Sequence, residues 1–215
     1  VYTGPLAITR TTSVRATANR SGYKPPRTKT NTFIFPEDTV TSPVMNTAIT
    51  QDPRYATRIR KGLRDLPVFS LSIPEVADDY YERECSMEIL WPDGSQAPLQ
   101  ANCGMEQFGG SYQEFAKKSW RLNFRKAFGA GQLKAPLFNG FDHGFPVRET
   151  FNKVELRSCS QDMADRGFYM AARCVDDTML DMGSLNPHGR YVHLYLNGVY
   201  WGQYDLREAL DDAFL

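Results

Sequence analysis

No apolar run in the 215 residues approaches the ~20 that a bilayer-spanning helix needs, which excludes a transmembrane helix within this sequence. Net charge is absent too, because 25 Lys and Arg balance 25 Asp and Glu. That balance gives no general electrostatic argument for nucleic acid or an anionic membrane as a partner. Among Cys85, Cys103, Cys159 and Cys174 there is no CxxC spacing, which argues against a zinc site. Cys85 and Cys103 would sit on strands flanking an Asp93-Gly94 turn, compatible with a cross-strand bridge; buried free thiols are the other reading. There is neither an initiating Met nor a signal peptide. The chain starts at Val1 inside what reads as a strand and stops at Leu215 inside what reads as a helix, so it reads as a fragment.

What is present is an aromatic content of 13%, 13 prolines and a mean hydropathy of -0.47. These indicate a sheet-rich, loop-rich fold with a real core, one compact domain plus a piece of another. Residues 1–35 hold three short β runs, Leu6–Thr9, Ser13–Asn19 and Lys29–Phe35, punctuated by Gly22 and Pro25-Pro26. Residues 36–64 are polar and read as a linker, with one short helix from Pro53 to Lys61 capped by Asp52. Its cluster Arg54, Arg58, Arg60, Lys61 and Arg64 reads as a solvated helix face.

A second domain opens at Leu66 with LPVFSLSI, a strand buried on both faces. A hairpin follows, Ser86–Trp91 and Ala97–Phe108 around Pro92-Asp93-Gly94. Further on, residues 151–158 read as a strand and Gln161 to about Asp181 as one helix, with Met163, Gly167, Met170, Ala171 and Cys174 on one face. Arg190–Leu196 and Val199–Tyr204 form a hairpin around Asn197-Gly198, a type I′ turn signal. Asp205 then reads as the N-cap of a final helix, with Glu208 at the capping-box spacing.

The stretch around which these pieces are arranged is Gly104–Phe138. From Lys117 to Arg125 the residues alternate as a half-buried strand does. Lys118, Trp120, Leu122 and Phe124 face one way; Lys117, Ser119, Arg121, Asn123 and Arg125 face the other. A lysine on the apolar side needs an anionic partner or a short route to water. Just before it, Gly109-Gly110-Ser111 can turn tightly and offer backbone N–H groups to an anion, although such a triplet also serves as a plain hairpin turn.

The string YTGPLAITRTTSVRATANRSGY resembles the second half of the small β-sandwich repeat at the C-terminus of bacterial chitobiases and hexosaminidases. That resemblance implies an accessory module, a secreted or surface location and possible glycan contact. The later motifs are LPVFSL at 66–71, WPDG at 91–94, FGGS at 108–111, KKSWRLNFR at 117–125, FGAG at 128–131 and APLF at 135–138. FNKVELR at 151–157 and YLNGVYWGQYDLRE at 195–208 complete the set. Together they resemble the CotH kinase (spore coat protein H) family over about residues 66–215. Phe108, Gln113 and Ala116 stand where family members commonly have His, Arg and Pro.

The resemblance implies an α+β domain at 65–215: mostly antiparallel sheet with packed helices, like the N-terminal lobe of an atypical protein kinase, preceded by part of a small β-sandwich. It implies ATP with Mg or Mn as cofactors, and phosphate transfer to Ser of secreted or coat proteins. Gly109, Gly110 and Ser111 would cover phosphates that Lys117, Lys118 and Arg121 contact, with Lys118 favoured for the cleft. Glu208 or Asp162 would pair the lysine. Catalytic and metal-binding acids are expected beyond Leu215, so these residues alone are expected not to transfer phosphate. The competing readings are a non-catalytic coat or cell-surface protein and an accessory module of a polysaccharide-degrading enzyme.

Overall fold

A computed structural model describes residues 2–24, 26–76, 79–109, 115–210 and Phe214. Its centre is a closed seven-strand barrel made of β3 (Val68–Ser72), β4 (Arg83–Leu90), β5 (Leu99–Phe108), β6 (Ser119–Asn123), β9 (Lys153–Arg157), β11 (Val199–Glu208) and β10 (Gly189–Leu196), in that spatial order. Neighbours are antiparallel except at the closure, where β10 and β3 run parallel with Leu194 opposite Phe69. Closure leaves no free edge. The small ladder of β7 (Leu133–Lys134) and β8 (Thr150–Phe151) lies apart from the barrel strands in pairing.

This overturns the expected helix-packed, kinase-like α+β lobe: the fold is mostly β. Two local misreadings account for much of the difference. The expected helix over 161–181 is split at Gly167, whose φ of 60° ends α4 (Ser160–Arg166) before α5 (Ala171–Asp181) begins. The expected final helix is strand instead: Asp205 through Glu208 pair with Arg157 through Val154 of β9. The capping-box spacing is overridden by backbone ladders to β9 on one side and β10 on the other. At the N-terminus, the described residues form two strands where three were expected, β1 (Thr12–Ala16) and β2 (Lys29–Phe33), paired as a two-stranded antiparallel sheet.

Alternation decides the core. Phe69, Leu71, Met87, Ile89, Met105, Trp120, Leu122, Val154, Leu156, Val192, Leu194, Tyr204 and Leu206 fill the interior. Asn197 (φ 50°) and Gly198 (φ 80°) make the β10–β11 turn that the Asn-Gly pair foretells.

The outer surface is covered in sectors. Residues 36–64 hold α1 (Pro36–Val40), α2 (Thr47–Thr50) and α3 (Ala56–Asp65). These pack on β10, where the Thr39 and Tyr195 hydroxyls lie 2.8 Å apart and His193 Nε2 lies 2.8 Å from the Gly62 carbonyl. Strand β2 lies over β3 and β4. Helices α4 and α5 lie over β9 and β11. That covering on both sides is why LPVFSLSI reads as a continuous buried run.

Candidate functional site

Strands β5, β6, β9 and β11 carry a polar outer face, and the pairing register fixes its layout. Arg121 lies opposite Glu106 on one side and Glu155 on the other, and Glu155 lies opposite Arg207. The result is a row of alternating charge across four strands. Arg121 Nη2 donates to Glu155 Oε1 at 2.8 Å, Arg207 Nε donates to Glu155 Oε2 at 3.0 Å, and Arg121 Nη1 reaches Glu106 Oε1 at 3.5 Å. The Arg121 guanidinium also sits over the Phe108 ring, 5.0 Å from its centroid. The row is partly open to solvent, with side-chain exposures of 32% at Arg121 and 21% at Arg207.

Next to this row the face is closed by the helices. Asp205 is fully buried, and neither of its carboxylate oxygens has a hydrogen-bond partner. Arg173 Nη1 stands 3.9 Å from Asp205 Oδ1 and 3.9 Å from Asp176 Oδ2. Burial raises the Asp205 carboxyl to about 6, against the opposing pull of Arg173, Arg207 and Arg157. Tyr191, directly across from Asp205, also has an unpartnered buried hydroxyl, and burial pushes its pKa up. Asp162, fully buried as well, is paired with Arg157.

At the top of the same face lies Lys117. Its Nζ donates to Tyr169 Oη at 2.9 Å and to the Gln203 carbonyl at 2.5 Å. It lies 4.9 Å from the Tyr169 ring centroid and 4.4 Å from that of Tyr204. Both hydrogen-bond partners are neutral, and burial lowers the amine to about 8. Gly202 lets β11 pass beside the amine: its φ of 107° is one that side-chain-bearing residues rarely adopt. The turn after β9 is also tight. Cys159 takes φ 57° and opens α4, and Ser160 Oγ donates to the Lys117 carbonyl at 2.9 Å.

The residues singled out from sequence separate in the structure. Arg121 lies on the polar face, whereas Lys117, two residues before β6, has its amine against the rings of Tyr169 and of the core residue Tyr204. The apolar side that alternation assigns to Lys118 is, for Trp120, Leu122 and Phe124, the barrel core. Lys118 sits just before β6, and its carbonyl accepts from Tyr204 Oη at 2.9 Å. Gly109 follows β5, with its carbonyl held by Tyr80 Oη at 2.8 Å. Gly110 and Ser111 lie outside the described residues. Glu208 does not meet Lys117: it accepts from Arg148 Nε at 3.1 Å and lies 2.8 Å from His188 Nδ1, at the far end of β11. The sequence reading missed Glu155, Arg157, Tyr169, Arg173, Asp205 and Arg207. The FNKVELR and YDLRE alternations carry a signal for four of them, because every second residue there is charged. For Tyr169, in the turn between α4 and α5, and Arg173, on α5, no local signal exists.

A family model for CotH kinase protein matches residues 105–215, which include this face from Glu106 to Arg207 and both covering helices. The chain belongs to the CotH kinase protein family. No curated protein matches it. For a CotH kinase the implied ligands are ATP and a divalent metal, and the two can be tested separately against the residues present. Lys117 fits an anionic phosphate, being a buried cation whose hydrogen-bond partners are neutral oxygens. Arg121 and Arg207 fit less simply, because Glu155 already holds both. Among the described residues no group of three or more His, Cys, Asp or Glu side chains gathers as a metal site. No metal ligand is therefore assigned. No helix of the described residues is long and apolar enough to cross a membrane.

Proposed function

We propose that this CotH kinase domain binds the phosphates of ATP on the outer face of the barrel, with Lys117 as the principal phosphate contact and Arg121 beside it. The supporting observation is the state of Lys117, a cation in a tyrosine-lined recess with no carboxylate hydrogen-bonded to it. An ammonium held this way has neutral dipoles and ring faces to stabilise it, so an anion arriving there supplies the charge it lacks. ATP with Mg or Mn would supply a transferable phosphoryl group. The chain's own part is to hold the phosphates, hold Lys117 in line through Tyr169 and the Gln203 carbonyl, and keep water from the recess. Gly109, which follows β5, begins the glycine stretch to which we assign the covering of the phosphates. On this reading the acceptor is a Ser hydroxyl of a secreted or coat protein, and the protein works outside the cell or at its surface.

Binding of a fluorescent ATP derivative, measured in a melting-controlled series, tests the site. Lys117→Met should abolish saturable binding while leaving the protein folded. Arg121→Gln should weaken binding by about tenfold, the value of one charge-assisted contact. Binding that survives Lys117→Met unchanged would remove the site from this face.

A further inference from the structure

The β4–β5 hairpin carries a feature unconnected with the polar face. Cys85 and Cys103 are directly opposite one another in the antiparallel ladder, are 1% and 0% exposed, and both point into the barrel core. Residues opposite one another in such a ladder have Cα atoms about 4.5 or 5.5 Å apart, depending on whether the pair is hydrogen-bonded. A disulfide accepts Cα separations of about 4.4–6.8 Å, so either kind of pair can be bridged without moving the strands apart. The neighbouring Cys85 thiol, together with burial, pushes the Cys103 pKa well above the ordinary thiol value. The remaining cysteines have no such partner. Cys159 is buried on the opposite, outer side of the sheet at the start of α4, and Cys174 is exposed on α5.

We propose that Cys85 and Cys103 are a disulfide-forming pair, closed by exchange with a small-molecule or protein disulfide while the β4–β5 hairpin forms. One cysteine, as thiolate, attacks the carrier disulfide and releases the first carrier thiol. The second protein thiolate then displaces the carrier's other sulfur. Two protein S–H bonds are lost, one S–S bond is gained, and the carrier is reduced to two thiols. Timing follows from burial. In the closed barrel both thiols are buried out of reach of a carrier, whereas the hairpin is a local element that can pair before β10 closes on β3. The bridge would fasten β5 five residues before Phe108, the strand end that leads into the Gly109 turn.

The test is refolding of the full chain from reduced, urea-unfolded protein in a glutathione redox buffer, followed by alkylation in denaturant. Trypsin leaves both cysteines in one peptide, 84–117, because no Lys or Arg lies between Arg83 and Lys117. The expected result is a peptide lighter by two hydrogens and free of alkyl groups, with Cys159 and Cys174 both alkylated. A Cys159→Ser/Cys174→Ser double variant should lose all titratable thiol on the same treatment, and its melting midpoint should rise by several degrees. Alkyl groups or glutathione on both cysteines of peptide 84–117 would overturn the proposal. So would a bridge from either of them to Cys159 or Cys174.

Discussion

Of the sectors of the barrel's outer surface that other parts of the chain cover, the one under the β1–β2 hairpin and the one under α4 and α5 are built in opposite ways. Under the β1–β2 hairpin the buried carboxylate is Glu88, and both of its oxygens are used. Thr32 N donates to Oε1 at 3.0 Å and the Thr32 hydroxyl donates to Oε2, with Ser70 Oγ 2.9 Å from that hydroxyl. Under α4 and α5 the buried carboxylate is Asp205, and neither oxygen is used. Hydroxyls and backbone N–H groups satisfy the first sector. In the second, Arg173 Nε is paired with Asp177 at 2.7 Å, but Arg173 Nη1, Asp176 Oδ2, the Tyr191 hydroxyl and both Asp205 oxygens are buried without a hydrogen-bond partner. A satisfied buried carboxylate ties two pieces of chain together; an unsatisfied one is a local cost retained in the fold. The contrast sets the hairpin sector apart as structural attachment and agrees with the placing of the proposed phosphate site in the helix sector.

Four substitutions sharpen or break this contrast. Glu88→Ala should be the most damaging, losing about 2–4 kcal/mol in urea denaturation, since it strands the Thr32 N–H and hydroxyl in a buried site. A loss under 1 kcal/mol would mean the hairpin is held by something else. Asp205→Asn should act in the other direction, gaining about 1–2 kcal/mol at pH 7. The folded carboxyl, raised to about 6, holds its proton better than the unfolded carboxyl with its ordinary value of 3.8. The cost of the charged form is therefore absent below pH 3.8, grows from 3.8 to 6 and is complete above 6. The stabilising effect of Asn should vanish at pH 3.5; destabilisation at pH 7 would show that Arg173 outweighs burial.

Lys117→Met should be smaller, a gain of about 1 kcal/mol at pH 7. Here the folded amine, lowered to about 8, releases its proton more readily than an unfolded lysine at 10.5. The penalty is complete below pH 8 and is relieved between 8 and 10.5, so wild type should approach the Met variant in stability across that window. A constant difference from pH 7 to 10.5 would mean the amine is not titrating there. Arg121→Gln should change stability least, by about 0.5 kcal/mol, because its ion pairs are partly solvated. A larger loss would move the alternating-charge row from the functional to the structural side of the comparison.

The strands of the barrel were legible because each records the period of its own environment. WRLN alternates core and outside; LPVFSLSI, covered on both faces, does not. The turn at Asn197-Gly198 was legible for the same reason, since positive φ at two successive residues leaves few alternatives. DLRE was misread because a capping-box spacing and a charged strand face look alike over four residues. Only the β9 ladder, absent from any local window, distinguishes them. Lys118 was favoured because alternation puts it on the apolar side of β6, and alternation does not say what that side faces. That side is a filled barrel interior, a fact that depends on β10 pairing with β3 across more than a hundred residues.

The sequence by itself determined which residues alternate, where the chain turns and, through its ordered motifs, the family to which it belongs. Those properties are local, set by backbone sterics and by side-chain polarity over a few positions. Tertiary structure alone decided that the sheet closes, which of its faces is inside and that Lys117 meets Tyr169 and Gln203. It also decided that Asp205 is buried among arginines rather than capping a helix. Burial and charge pairing depend on what the rest of the chain brings to a residue, and the strands that form this face are brought together from widely separated parts of the sequence.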